Sequence, residues 1–131
     1  MALTLAEVER MLQAAKKKAL DMDVIVGISI VDARGDLLAA LRLDGAIWRT
    51  MPVSRGKAYA SAAFGVPSAE LSERANNPVM RALMQMEDGL IIPQQGALPI
   101  KRGTQLIGAI GVSGARSEED EEVARAGIGA L

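Results

Sequence analysis

The chain contains no histidine and no cysteine. Their absence removes the side chains that most often bind transition metals, ligate haem or serve as activated nucleophiles. Histidine-dependent triads are excluded, although Ser-Lys arrangements are not. Aromatic residues are almost missing too: Trp48, Tyr59 and Phe64 are the only three in 131 residues. Half of the residues are apolar, so the core must be built from Ala, Leu, Ile, Val and Met, and the 13 glycines imply close backbone approaches. A net charge of −1 gives no electrostatic reason to expect nucleic acid or an anionic membrane as partner. No apolar run approaches the roughly 18 residues a membrane span needs, and the N-terminus lacks a signal-peptide pattern. A reducing, cytoplasmic location is the expectation that the lack of cysteine suggests.

What is present reads as one domain, residues 1–131, long enough to bury a sizeable core. Thr4-Leu5-Ala6-Glu7 has capping-box spacing, and Leu3 and Val8 stand where a hydrophobic staple would. Val8, Met11, Leu12, Ala15 and Ala19 then form one apolar stripe, with Lys16, Lys17 and Lys18 on the solvated side of a surface helix. Val24–Val31 is β-branched and apolar, as in a strand covered on both faces. The Asp32–Asp36 turn returns the chain as a second strand over Leu37–Leu43. Pro52–Phe64 predicts a helix with small residues on every side, able to lie close to a sheet. A short helical segment over Ser68–Ala75 stops at Asn76-Asn77-Pro78, which caps a helix over Val79–Met86. Leu90–Ile92, Leu98–Lys101 and Gln105–Ser113 supply three more predicted strands. Ser117 with Asp120 repeats the capping-box spacing before a last helix. Hairpin-connected strands with helices set apart argue an antiparallel α+β sheet.

Gly108, Gly111 and Gly114 are spaced unlike a dinucleotide loop, and the acids Glu118–Glu122 that follow would repel a phosphate. The glycines are therefore read as close packing and a turn at Gly114. Glu118 and Glu122 share a helix face, but without His or Cys they would suit only a hard cation, and first-turn acids also favour the helix dipole. Ser54 and Lys57 could share a helix face, a weak signal for a hydrolase. Met80, Met84 and Met86 form an apolar stripe read as core or oligomer interface.

Three stretches resemble the GlcG/HbpS haem-binding family, which also includes the C-terminal domain of PduO. They are Leu43–Ala46, Ser54–Phe64 (SRGKAYASAAF) and the segment running from Gly96 to Gly127. In the last, Pro99-Ile100, Gly108, Gly111–Gly114, Asp120 and Gly127 fall on the family pattern, whereas the family's Gly-Gly is Gly96-Ala97 here. The resemblance implies an α–β–α sandwich with a five-stranded antiparallel sheet, profilin-like, assembled as a homo-oligomer. It also implies a small-molecule ligand, with haem as the family's described cofactor.

The expected ligand-binding residues are Arg55, Lys57, Tyr59, Pro99, Ser113 and Gly114, beside the second helix and the strand ends. Lys57 is embedded among Ala and Ser, so its ammonium must reach solvent, a ligand or a carboxylate such as Asp44 or Asp120. Without histidine, haem would need Tyr59, a Met or a Lys as axial ligand, or hydrophobic contact alone. Arg55, four residues before Tyr59, could supply the cation that a phenolate requires. The alternative function is a cofactor-independent catabolic enzyme for a small organic acid or carbonyl compound, with Lys57 or Arg55 holding a carboxylate. A purely accessory subunit is the third reading.

Overall fold

Thr4 opens the first helix as the spacing predicts: its hydroxyl accepts the Glu7 amide at 3.1 Å and the Glu7 carboxylate accepts the Thr4 amide at 2.9 Å. In the computed structural model, which describes residues 1–131, this helix, α1, spans Leu5–Asp21. Strands β1 (Gly27–Asp32) and β2 (Leu37–Arg42) follow, then α2 (Thr50–Phe64), a 3₁₀ helix (Ser68–Arg74) and α3 (Pro78–Met86). Strands β3 (Ala97–Arg102) and β4 (Gln105–Ser113) lead into α4 (Ser117–Ile128). The sheet is antiparallel throughout, in the order β2-β1-β4-β3.

The sheet therefore has four strands, not five. The apolar run Leu90-Ile91-Ile92 reads as a strand locally, but its partners lie on α2. The Ile92 amide donates to the Gly56 carbonyl at 3.1 Å, and Ile91 is buried in a small cluster with Tyr59, Leu71 and Met80. Gly56 makes this possible, because a Cβ there would lie 2.6 Å from the Ile92 side chain. An apolar triplet can satisfy its burial against a helix as well as in a sheet, and alternation cannot separate the two in three residues.

Helices α1 and α4 cover one face of the sheet and α2 the other, which confirms the layered α+β arrangement. The α1 stripe (Val8, Met11, Leu12, Ala15, Ala19) packs with Val123 and Ala124 onto Ile28, Ile30, Ile110 and Val112. Fully burying one Ile or Val side chain is worth about 1.5–3 kcal/mol, so this face supplies most of the hydrophobic stabilisation. Only small groups meet on the opposite face: Ala58, Ala62 and Ala109 with Val31. There the Ser29 and Ser54 hydroxyls lie 2.7 Å apart, and a Cβ on Gly111 would fall 2.1 Å from the Ser54 carbonyl oxygen. Sheet and helix backbones touch, as the small-residue pattern predicts.

The two sheet edges are treated differently. On β3 the Ser68 hydroxyl accepts the Ala97 amide at 2.9 Å and Pro99 has no amide to offer. On β2 the strand is largely exposed, with Leu37 and Leu38 open to solvent.

The cap of α4 departs from expectation. The helix begins after Arg116, whose amide donates to Glu119 at 3.1 Å, and Ser117 is not the cap. Asp120 is turned inward, accepting the Ala115 amide at 3.0 Å and facing Lys57. A buried ammonium attracts that carboxylate more strongly than the neutral amide of Ser117 does.

Candidate functional site

Helix α2 separates two cavities. Its Ser54, Ala58 and Ala62 ridge is pressed onto the sheet, so the side chains on either side of that ridge point to opposite flanks. A cavity lies along each flank, and the two differ in chemistry.

One flank carries Arg49, Val53 and Lys57, spaced four residues apart, and borders a cavity of about 340 Å³. Lys57 is only 3% exposed and Asp120 2%. The Lys57 ammonium donates to the Val112 carbonyl at 3.0 Å and to Asp120 at 3.2 Å. Its partner is thus Asp120, not Asp44. The lysine reaches that position by passing beneath Gly96, where a Cβ would lie 2.7 Å from Nζ and where φ is +138°. Glycine is demanded at 96 by both the backbone and the lysine; Ala97, where the family pattern has a second glycine, is fully buried and accommodated. Burial pushes the Asp120 carboxyl above the usual range, and the Lys57 charge and the Ala115 amide work against that shift. The remaining lining is mostly polar, with Thr50, Gln94, Ser113 and Ser117 beside Ile47, Gly114 and Ala115.

The other flank carries Met51, Pro52 and Arg55. With Leu37 of β2 and Leu90 and Ile92 after α3, they border a cavity of about 510 Å³. Its charged lining residues are Arg55 and Asp88, and Arg55 belongs to no ion pair within the chain. Met51 contributes the one soft donor atom there.

The residues predicted from sequence therefore separate. Lys57, Ser113 and Gly114 come together at the polar cavity, and Arg55 stands at the apolar one. Pro99 lies on the edge strand β3, opposite Ala109. Tyr59 joins neither cavity. Its ring covers Gly35, which has φ +98°, and its hydroxyl donates to Glu87 and accepts from Arg34 at 3.1 Å. The cation beside the phenol is thus Arg34 from the β1–β2 turn, not Arg55. That turn is far from Tyr59 in sequence, so helical spacing had no means of finding it. Arg49, by contrast, was legible: it stands two helical turns before Lys57 on the same row.

The family model described as "Haem degrading protein HbpS-like" matches residues 3–129, and the chain belongs to that family. An uncharacterised 15.0 kDa protein from the dhaT–dhaS intergenic region of Citrobacter freundii is 31% identical over 96% of this chain and 89% of its own. The corrinoid adenosyltransferase PduO of Citrobacter freundii is 27% identical across the whole chain, which spans only 39% of that enzyme. Among solved structures, a PduOC–haem complex superimposes with a TM-score of 0.90 at 28% identity, covering 100% of this chain and 96% of that one. No helix of this chain is long and apolar enough to cross a membrane.

Proposed function

We propose that this chain is an oligomeric binding protein for haem or another flat, largely apolar acid, held in the cavity between α2, β2 and the Asp88–Ile92 segment. The observation that carries the reading is the lining itself. Leu37, Met51, Pro52, Leu90 and Ile92 offer an apolar wall, and Arg55 offers an unpaired guanidinium suited to a carboxylate such as a haem propionate. The haem complex of PduOC, alike in fold over the whole chain, supports the same ligand class. These residues fit the apolar body and one acidic group of haem. They do not offer imidazole, because the chain has none. Iron in this cavity would have Met51 as its soft ligand, and no bis-histidine or histidine–methionine spectrum can arise. When bound, haem would supply redox chemistry; Arg55 would orient it and the apolar wall would exclude water.

Titration of the purified protein with haemin tests this. A saturable Soret shift is expected, with affinity reduced about tenfold in Arg55→Ala, the loss of one charge-assisted hydrogen bond. An unsaturable isotherm, or one indifferent to both Arg55→Ala and Met51→Ala, refutes the site.

Assembly is the second part of the proposal. Helix α3 buries only Met80 fully, and leaves Val79 76% and Met86 75% exposed. Apolar side chains at the two ends of one α3 face, together with exposed Trp48, suit burial against a second copy in a symmetric homo-oligomer. Light scattering at micromolar concentration should give a multiple of the chain mass; a monomer mass overturns it.

A further inference from the structure

The polar flank of α2 carries a site of its own, independent of haem. Lys57 has three ammonium hydrogens, of which Val112 and Asp120 take two. The third has no protein acceptor, although the residue is almost completely buried and lines a cavity. A donor in that situation needs a ligand or water, because leaving it unmade is costly. The cavity's charge points the same way. Of the charged lining residues, Lys57 is balanced by Asp120; the glutamates of α4 lie outside the lining, Glu118 and Glu119 sharing Arg116 and Glu121 pairing with Arg125. Arg49 lines the cavity with no ion-pair partner, so the lining holds one uncompensated positive charge.

We infer that this cavity binds a small monocarboxylate bearing a second oxygen, a short hydroxy- or oxo-acid. Arg49 takes the carboxylate, and the free Lys57 hydrogen is donated to the hydroxyl or carbonyl oxygen. Eight helical residues separate the two Cα atoms by about 12 Å. Both side chains line the cavity, and Lys57 leans toward the helix N-terminus where Arg49 stands, so a short acid can bridge them. Gln94, Ser113 and Ser117 supply neutral polar groups around the acid's body. A volume of about 340 Å³ stands at the small end for ligand cavities. The acids of the first α4 turn, of which Glu118 and Glu119 share one arginine, disfavour a dianion or a phosphate, which selects for a single negative charge.

The test is a ¹⁵N–¹H NMR titration of the full chain with 3-hydroxybutyrate, its neutral amide and succinate. The expected result is saturable shifts of the Ser113, Gly114 and Ala115 amides with 3-hydroxybutyrate, at least tenfold weaker binding of the amide, and weaker binding of succinate. Arg49 is exposed, so Arg49→Gln should keep the native spectrum and the haemin isotherm while lowering 3-hydroxybutyrate affinity at least tenfold. Gln94→Ala, also at an exposed position, should weaken it severalfold. Absence of saturable shifts at these three amides overturns the proposal. So does equal binding of the neutral amide, or unchanged affinity in a folded Arg49→Gln protein.

Discussion

The two flanks of α2 share one helix and one backbone, yet they solve the burial of charge in opposite ways. On the polar flank, Lys57 is carried into the interior and neutralised by Asp120 from a different helix. On the apolar flank, Arg55 stays exposed and unpaired beside Met51, Pro52 and Leu90. The first arrangement spends tertiary structure to hold its charge in place, and the second leaves its charge for whatever arrives. The Lys57 charge is therefore tied to folding, whereas the exposed Arg55 can be altered with little effect on stability.

Breaking the polar flank should have the largest effect. Asp120→Ala leaves a buried, uncompensated ammonium and should destabilise the protein by about 3–5 kcal/mol in urea denaturation. The double substitution Lys57→Met with Asp120→Leu should recover most of that loss, since a buried pair is often replaceable by apolar residues. A single Asp120→Ala with unchanged stability would show that the pair is not what fixes α4 to α2. Next comes the ridge between the flanks. Gly111→Ala drives a methyl group into the Ser54 carbonyl, and about 1–3 kcal/mol of overpacking should appear as a lowered urea midpoint.

Tyr59→Phe follows, because it removes a hydroxyl that links Glu87 to Arg34. About 1.5 kcal/mol should be lost, the lower value for a partly buried bond to a charged group, and any haem spectrum should be unchanged. Arg55→Ala should shift stability by less than about 0.5 kcal/mol, as for other exposed positions, while weakening haemin. The gentlest test lies away from both flanks. The Arg102 guanidinium, followed by the Thr4 amide, lowers the Glu7 pKa from 4.5 to about 2. A carboxylate with a depressed folded-state pKa adds stability above its unfolded value and loses it as pH falls through the folded one. That contribution should fade between about pH 4.5 and 2, and Arg102→Ala should return the Glu7 titration, followed by NMR, towards 4.5.

Much of this was legible locally. The Thr4–Glu7 box, the α1 stripe and the Asn77 cap of α3, whose carboxamide oxygen accepts the Val79 amide at 2.9 Å, depend on neighbours in sequence. The small-residue helix and the glycines at 108, 111 and 114 announced a close approach of backbones, and the structure has it. The family followed from the order of the three stretches that carry the resemblance. Failures arose where a residue's partner lay far along the chain. Leu90–Ile92 turned to α2 and Tyr59 found Arg34 across 25 positions, whereas Asp120, though not the expected cap, was one of the two carboxylates expected for Lys57. Periodicity places a side chain on a face; it does not say which distant group faces it. That is also why six candidate residues on one list divide between two cavities, a clasp and an edge strand.

The Ser68 hydroxyl on β3 has a bearing on how copies of this chain can join. A sheet with two bare margins can recruit a neighbour at each and lengthen without end, as fibrils do. Here one margin is sealed by a hydroxyl and a proline, so β2 is the more open margin for backbone pairing. Strand addition through β2 would join two copies and then stop, because each would have used its available margin. The serine and the proline would thus act together as terminators of growth by this route: Ser68→Ala would uncover the Ala97 amide, yet Pro99 would still interrupt pairing along that margin.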